Sequence, residues 1–347
     1  NRVGLAKVRE TTFGITPTNP TFKAIRQTSS GLNAAPKTVA SEEIRSDRQV
    51  TDLILVGQEA GGDVGGELAF SVADDDFEEA LQGTWSNLPH IEVATSDTEI
   101  SDVSATTLTV ASGGASFKTG HLTLTEDFET SANNKLARVS SSSATTIVYP
   151  SSTFTAESNP IPVGASVRVV GFEGASGDLA AVTAGGNGLT SSALNFTTLG
   201  LAVGMWLKIG GGSVSGTFFS GTAANNDYVR ISAIAANKIT FDRVPSGWTA
   251  DAGTSKTIRV FMPDVLVNGS TKRSNTIERT YNDHSPVTYE YFTGMTLNTL
   301  NIELPQNAIA KYTKSYTGKA GSVTTTRASG ASDEAAPTYD VFNTSTD

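Results

Sequence analysis

The sequence predicts a mostly β protein with one short helix and two tandem β modules set into its middle. Three observations predict it. Ser, Thr, Gly and Val are abundant and long helical patterns are rare, and β-branched residues suit a pleated, half-buried surface. Apolar positions alternate over short stretches bounded by turn residues. The central part of the chain also repeats itself at a nearly constant spacing.

Residues 1–40 carry Pro17, Pro20 and Pro36 without strong periodicity, which predicts an extended arm holding one short strand. "VTDLILVG" (50–57) predicts a strand. "GGELAFSV" (65–72) predicts a second, with Leu68 and Phe70 on one face and Glu67 and Ala69 on the other. Between them "GQEAGGD" predicts a glycine-rich turn. No Lys-Ser/Thr follows it and no helix begins there, so it is not a phosphate cradle.

"SVADDDFEEALQGTW" (71–85) packs five carboxylates into the six positions Asp74 to Glu79. Phe77, Ala80 and Leu81 recur at helical spacing. Asp75 is placed to cap the helix, with Glu78 closing a capping box. Asp76, Glu78 and Glu79 then fall in the first turn, where the helix dipole favours anions. Gly83 is placed for the left-handed residue past the last turn. A calcium loop needs alternating ligands around a glycine turn, and this run is contiguous. The prediction is a helix at about 76–82 and no metal site.

From about residue 91 the chain becomes Ser/Thr-rich. "NKLARVSSSSATTIVYP" (134–150) aligns with "NDYVRISAIAANKITFD" (226–242), matching Asn134 to Asn226, Arg138 to Arg230, Ser140 to Ser232 and Ile147 to Ile239 at an offset of 92. "SVRVVGF" (166–172) answers "TIRVFMP" (257–263), and "GHLTL" (120–124) answers "GMWLKI" (204–209). Two tandem modules follow, 91–175 and 176–262, between core halves at 1–90 and 263–347. The last part holds "SNTIERTYND" (274–283), "VTYEYFTGMTLNTLNIELP" (287–305) and "NAIAKYTKSYTG" (307–318), a predicted meander. The final polar stretch, from "SVTTTRASG" on, predicts an exposed arm with no closing strand. That leaves an edge for another chain, or for sequence beyond residue 347, to cover.

Nothing in the sequence converges on catalysis. The formal charge is −10, and each of the three parts 1–90, 91–262 and 263–347 is mildly acidic. No basic patch stands out to neutralise phosphates, so tight nucleic-acid binding is not expected. Cysteine is absent, which removes disulfides and thiol chemistry. No apolar run approaches a membrane-spanning length. His90, His121 and His284 lie far apart and show no ligand spacing. The serines in "GASGD" and "VGASV" do not form a nucleophile elbow. Asn268-Gly269-Ser270 marks a turn, and Tyr289, Tyr291 and Phe292 lack interleaved cations, so they predict packing. No catalytic, cofactor-binding or metal-ligating residue is assigned.

Two parts of the chain carry a resemblance. "ETTFGITP", "SEEIRSDRQVTDLILVGQEAGGDVGGELAF" and "DDDFEEAL" with the following "GTW" resemble the N-terminal half of tail tube proteins of long-tailed bacteriophages. "TIERTYND" with "YEYFTGMTLNTLNIEL" resembles the second half of that family. The resemblance implies a β-sandwich or small-barrel core with one short flanking helix. It also implies six-membered rings stacked into a hollow tube, DNA passing through the lumen without specific binding, and contacts with tape-measure and tail terminator or tip proteins. The implied location is the virion tail, with assembly in the host cytoplasm. The region 91–262 is larger than the family core requires. Within the resembling segments, "EEIRSDRQV" (42–50) alternates in sign. Arg45, Asp47 and Arg48, with Glu67, Glu278 and Arg279, are the candidate inter-subunit contacts. The alternative function is a surface module whose tandem β units bind glycan or a host receptor; an enzyme is not expected.

Overall fold

The computed structural model describes residues 3–41, 53–95, 98–211, 214 and 216–344. Strand makes up 45% of the structure and helix 6%, in several open sheets of which none closes into a barrel. The chain divides into two compact units, residues 1–85 with 266–347, and residues 86–265.

In the first unit one sheet runs in the order Ser332–Glu334, Thr21–Ala24, Val3–Arg9, Asn275–Tyr281, Thr288–Glu303, Lys311–Gly318, Leu53–Glu67, Ser29–Ser30. Asn33–Ala40 pairs with Leu53–Glu67, and Ala320–Thr324 with Thr288–Glu303. Leu5, Leu32, Val64, Ile277, Phe292, Met295 and Tyr316 form the core.

Three expectations are corrected here. The N-terminal arm is not one short strand: Val3–Arg9 pairs with Asn275–Tyr281 along its whole length, and three more strands follow before residue 41. Its inward positions are Leu5 and Lys7, and the lysine masked the alternation. "GQEAGGD" is not a turn but the middle of the single strand Leu53–Glu67. Its glycines let other backbone come close; a Cβ on Gly61 would lie 2.9 Å from the Tyr316 carbonyl oxygen. The C-terminal stretch is not a free arm. Ser332–Glu334 pairs in parallel with Thr21–Ala24, and the Phe342 N–H donates to the Leu68 carbonyl at 2.8 Å.

The second unit has a ten-stranded and a five-stranded sheet over one core that includes Phe117, Phe172, Phe196, Phe219 and Trp248. The two repeated stretches lie in this one unit. Both supply strands to the larger sheet, which is continuous where Ser166–Glu173 pairs with Arg259–Phe261. A side-chain clasp recurs at the same offset of 92. Asn134 accepts the Phe128 N–H (2.9 Å) and donates to the Phe128 carbonyl (3.0 Å), and Asn226 does the same to Phe219, both at 2.7 Å. Asn133 and Asn225, both fully buried, likewise bridge the backbone of Thr155 and Thr249. The ends of the unit meet in an antiparallel bridge between Ser86 and Val265.

Candidate assembly surfaces

The acidic helix spans Asp74–Leu81. It starts one to two residues before the predicted cap: Ala73 occupies the N-cap, no side chain caps it, and the left-handed residue at the other end is Gln82, not Gly83. Gly83 is needed because a Cβ there would collide with the Val267 carbonyl. The predicted apolar face is also the wrong way round. Asp76, Glu78 and Glu79 are buried, Phe77 is half-buried, and Ala80 and Leu81 are exposed.

The helix turns its acids inward because the sheet beneath it holds buried lysines. Lys7 lies beyond Leu5 on the inner face of its strand, and Lys314 sits between Tyr312 and Tyr316 on another. Asp76 joins them: its Oδ1 is 2.7 Å from Lys7 Nζ, its Oδ2 2.8 Å from Lys314 Nζ, and the Tyr316 hydroxyl donates to Oδ1 at 3.2 Å. Glu79 takes Lys7 at 3.2 Å, so two acids and two lysines close a neutral box. Burial opposes the charge on Asp76, but Lys7 and Lys314 outweigh it and hold the carboxyl down at about 2. Burial likewise opposes the charge on Lys7, where Asp76 and Glu79 together win and its pKa rises. At Lys314, which shares Asp76 with Lys7, burial prevails and its pKa falls. Glu78 binds Arg9 at 3.0 Å and receives the Trp85 N–H. The acids of this run are therefore answered by cations and donors of the same chain.

The "ETTFGITP" motif is organised by its own acid. Buried Glu10 accepts from Gly14 N–H (2.7 Å), Gly294 N–H (2.8 Å), Ser274 Oγ (2.7 Å) and Thr276 Oγ1 (2.9 Å), four neutral donors that fix the loop to two strands.

Of the candidate contacts, Arg45, Asp47 and Arg48 lie outside the described residues. Glu67 is half-buried at the end of its strand, in register with Lys311. Glu278 is 2% exposed, accepts the Tyr291 hydroxyl at 2.8 Å and pairs with Arg327 through two nitrogens at 2.9 and 3.1 Å. Arg279 pairs with Glu290 at 3.0 Å and donates to the Leu32 carbonyl at 2.8 Å. The structure thus places Glu278 and Arg279 in pairs within the chain.

The surface that sequence reasoning missed is a ribbon. Asn33–Ala40 and the first part of Leu53–Glu67 pair with each other, and the neighbouring strand Lys311–Gly318 reaches only to Ala60. Among the described residues the ribbon carries apolar side chains into solvent: Val39, Ile54, Leu55 and Val56 are each more than half exposed, and Val39 is in register with Ile54. An isolated two-stranded ribbon is marginal in water, and bare strand edges invite pairing with another chain. "LILV" was legible as a strand, but its lack of a covering layer was not.

A mostly β subunit that keeps apolar strand residues in solvent presents the kind of surface that pairs with another chain. The particular family follows from comparison: the phage tail tube protein model matches residues 1–240, and the chain belongs to that family, a structural family of virion tail components. The match runs through much of the second unit, so the family likeness does not stop at residue 90. No curated protein matches the chain.

Proposed function

We propose that this subunit closes into six-membered rings that stack into the hollow tail tube, through which DNA passes during genome ejection. A tape-measure protein occupies the growing lumen, terminator or tip proteins close the ends, and assembly takes place in the host cytoplasm. The observation that carries the proposal is the bare ribbon of Val39, Ile54, Leu55 and Val56. Each of these side chains contributes about 1 kcal/mol when its exposed half is covered, and a repeating polymer multiplies that gain. The acidic composition, at a formal charge of −10, suits a channel that must release DNA rather than hold it.

The sign-alternating stretch 42–50 falls in sequence between the two ribbon strands. Arg45, Asp47 and Arg48 are proposed to pair with a neighbouring ring, fixing register more than adding affinity. Such exposed pairs weaken as salt rises.

Val39→Lys with Ile54→Glu, which sets opposite charges at facing positions and keeps the two strands paired, tests the reading. The substituted side chains are exposed, so the subunit keeps its circular dichroism spectrum and melting temperature. It is expected to form no tubes in negative-stain micrographs under conditions where the parent does. A doubly substituted chain that polymerises like the parent would overturn the proposal.

A further inference from the structure

In the larger sheet of the second unit, the strands Trp206–Ile209 and Tyr228–Ala235 lie side by side, with Trp206 in register with Arg230 and Lys208 with Tyr228. Leu207, Ile209, Val229 and Ile231 point into the core and are fully buried. The other four, Trp206, Lys208, Tyr228 and Arg230, share the outer face by strand alternation. Trp206 is 47% and Tyr228 60% exposed. The next strand continues the row, because Phe261 is in register with Lys208.

Two cations of this face, Lys208 and Arg230, are each paired with a carboxylate, and Arg243, in register with Arg230, adds a further positive charge beside Asp242. Lys208 Nζ lies 5.0 Å from the centre of the Tyr228 ring, 3.3 Å from Asp227 and 2.8 Å from the Asn226 carbonyl. Arg230 is held by Asp242 through two nitrogens. The Tyr228 ring is thus propped by the lysine, and the guanidinium–carboxylate pair stands beside the indole. The corresponding register of the other repeat is different: Leu122 faces Arg138 and is fully buried. Exposed aromatic rings are a feature of this half alone among the described residues of the unit.

We propose that this face binds a neutral carbohydrate. Two solvent-facing rings offer flat apolar surfaces to the C–H faces of hexose units. The flanking Arg230–Asp242 and Lys208–Asp227 pairs supply fixed donors and acceptors for hydroxyl groups. A nucleic acid would need cations free to neutralise phosphate, and these two are each matched by a carboxylate. The site gives the tail subunit a second capability, attachment to polysaccharide, in addition to assembly.

The test is calorimetric titration of the full chain with cellohexaose, maltohexaose and chitohexaose, with heparin and an oligothymidylate as charged comparators. At least one neutral hexamer is expected to bind saturably. Trp206→Ala and Tyr228→Ala are each expected to weaken binding roughly tenfold or more, the range of an aromatic anchor, with the melting temperature unchanged. No binding of any neutral hexamer at millimolar concentration overturns the proposal. So does binding confined to heparin or the oligothymidylate, undiminished binding by Trp206→Ala, or a change in sedimentation of Trp206→Ala that marks the face as a contact between copies.

Discussion

Lys314 Nζ lies 2.8 Å from Asp76 Oδ2, and both side chains are 1% exposed. This pair, extended by Lys7 and Glu79, fastens the helix to the sheet of the first unit. Removing one partner of a buried pair leaves its counterpart charged and without compensation, which costs about 3–5 kcal/mol. Asp76→Ala is therefore expected to lower the unfolding free energy of the first unit, measured in urea, by that amount, whereas Asp75→Ala, with an exposed side chain, is expected to cost less than about 1 kcal/mol. Equal effects from the two would refute the hub.

Acid should weaken each unit over a different range. Asp76 titrates at about 2 in the folded chain against 3.8 ordinarily. A depressed carboxyl contributes its stability above the unfolded value and loses it as pH falls through the folded one. The first unit should lose about 2 kcal/mol between pH 3.8 and 2. In the second unit, buried His121 accepts the Lys118 N–H on Nδ1 at 3.0 Å, so that nitrogen carries no proton. Burial pushes its pKa down from 6.5 to about 4, the Leu199 backbone opposes the shift, and Lys118 adds to it. A base whose folded pKa is lowered costs stability once the unfolded chain begins to take up the proton. The second unit should lose about 3 kcal/mol between pH 6.5 and 4. Hydrogen exchange at Tyr316 and Phe172 amides separates the two units; a flat profile at Phe172 across that range would exclude the histidine effect.

The twin clasps should be energetically alike. Asn134→Ala and Asn226→Ala each remove two backbone hydrogen bonds and leave partly buried groups unsatisfied, a cost of about 2 kcal/mol. Scanning calorimetry of the two variants would show matching losses. A large loss for one and none for the other would argue against a common origin of the repeats.

The second unit should be removable. Ser86 and Val265 are bridged partners, so a two-residue Asn-Gly turn can join Trp85 to Leu266. The shortened chain is expected to keep the first unit folded and polymerising, as its core draws on residues of that unit alone. Failure to polymerise while folded would make the second unit part of the tube wall.

Much of the fold was legible and the reasons for the rest are specific. Alternation exposed the strands at 288–303 and 311–318, and the offset of 92 exposed the recurring asparagines. The helix was found but faced wrongly. Its acids looked like solvated first-turn residues because their partners, Lys7 and Lys314, are 69 and 238 positions away from Asp76. The clue was local all the same: Lys314 alternates with Tyr312 and Tyr316, and a lysine at an inward strand position needs an acid. The arms at both ends failed as predictions because their pairing partners lie at the opposite end of the chain, as with Thr21–Ala24 and Ser332–Glu334. Exposure of the ribbon depends on what covers it, and a single chain's sequence carries no record of that.

The most direct test of the central claim is electron cryomicroscopy of the polymerised chain at side-chain resolution. The account predicts stacked six-membered rings in which Val39 and Ile54 are buried against a neighbouring subunit. A chain that stays monomeric, or tubes in which that ribbon remains in solvent, would contradict it.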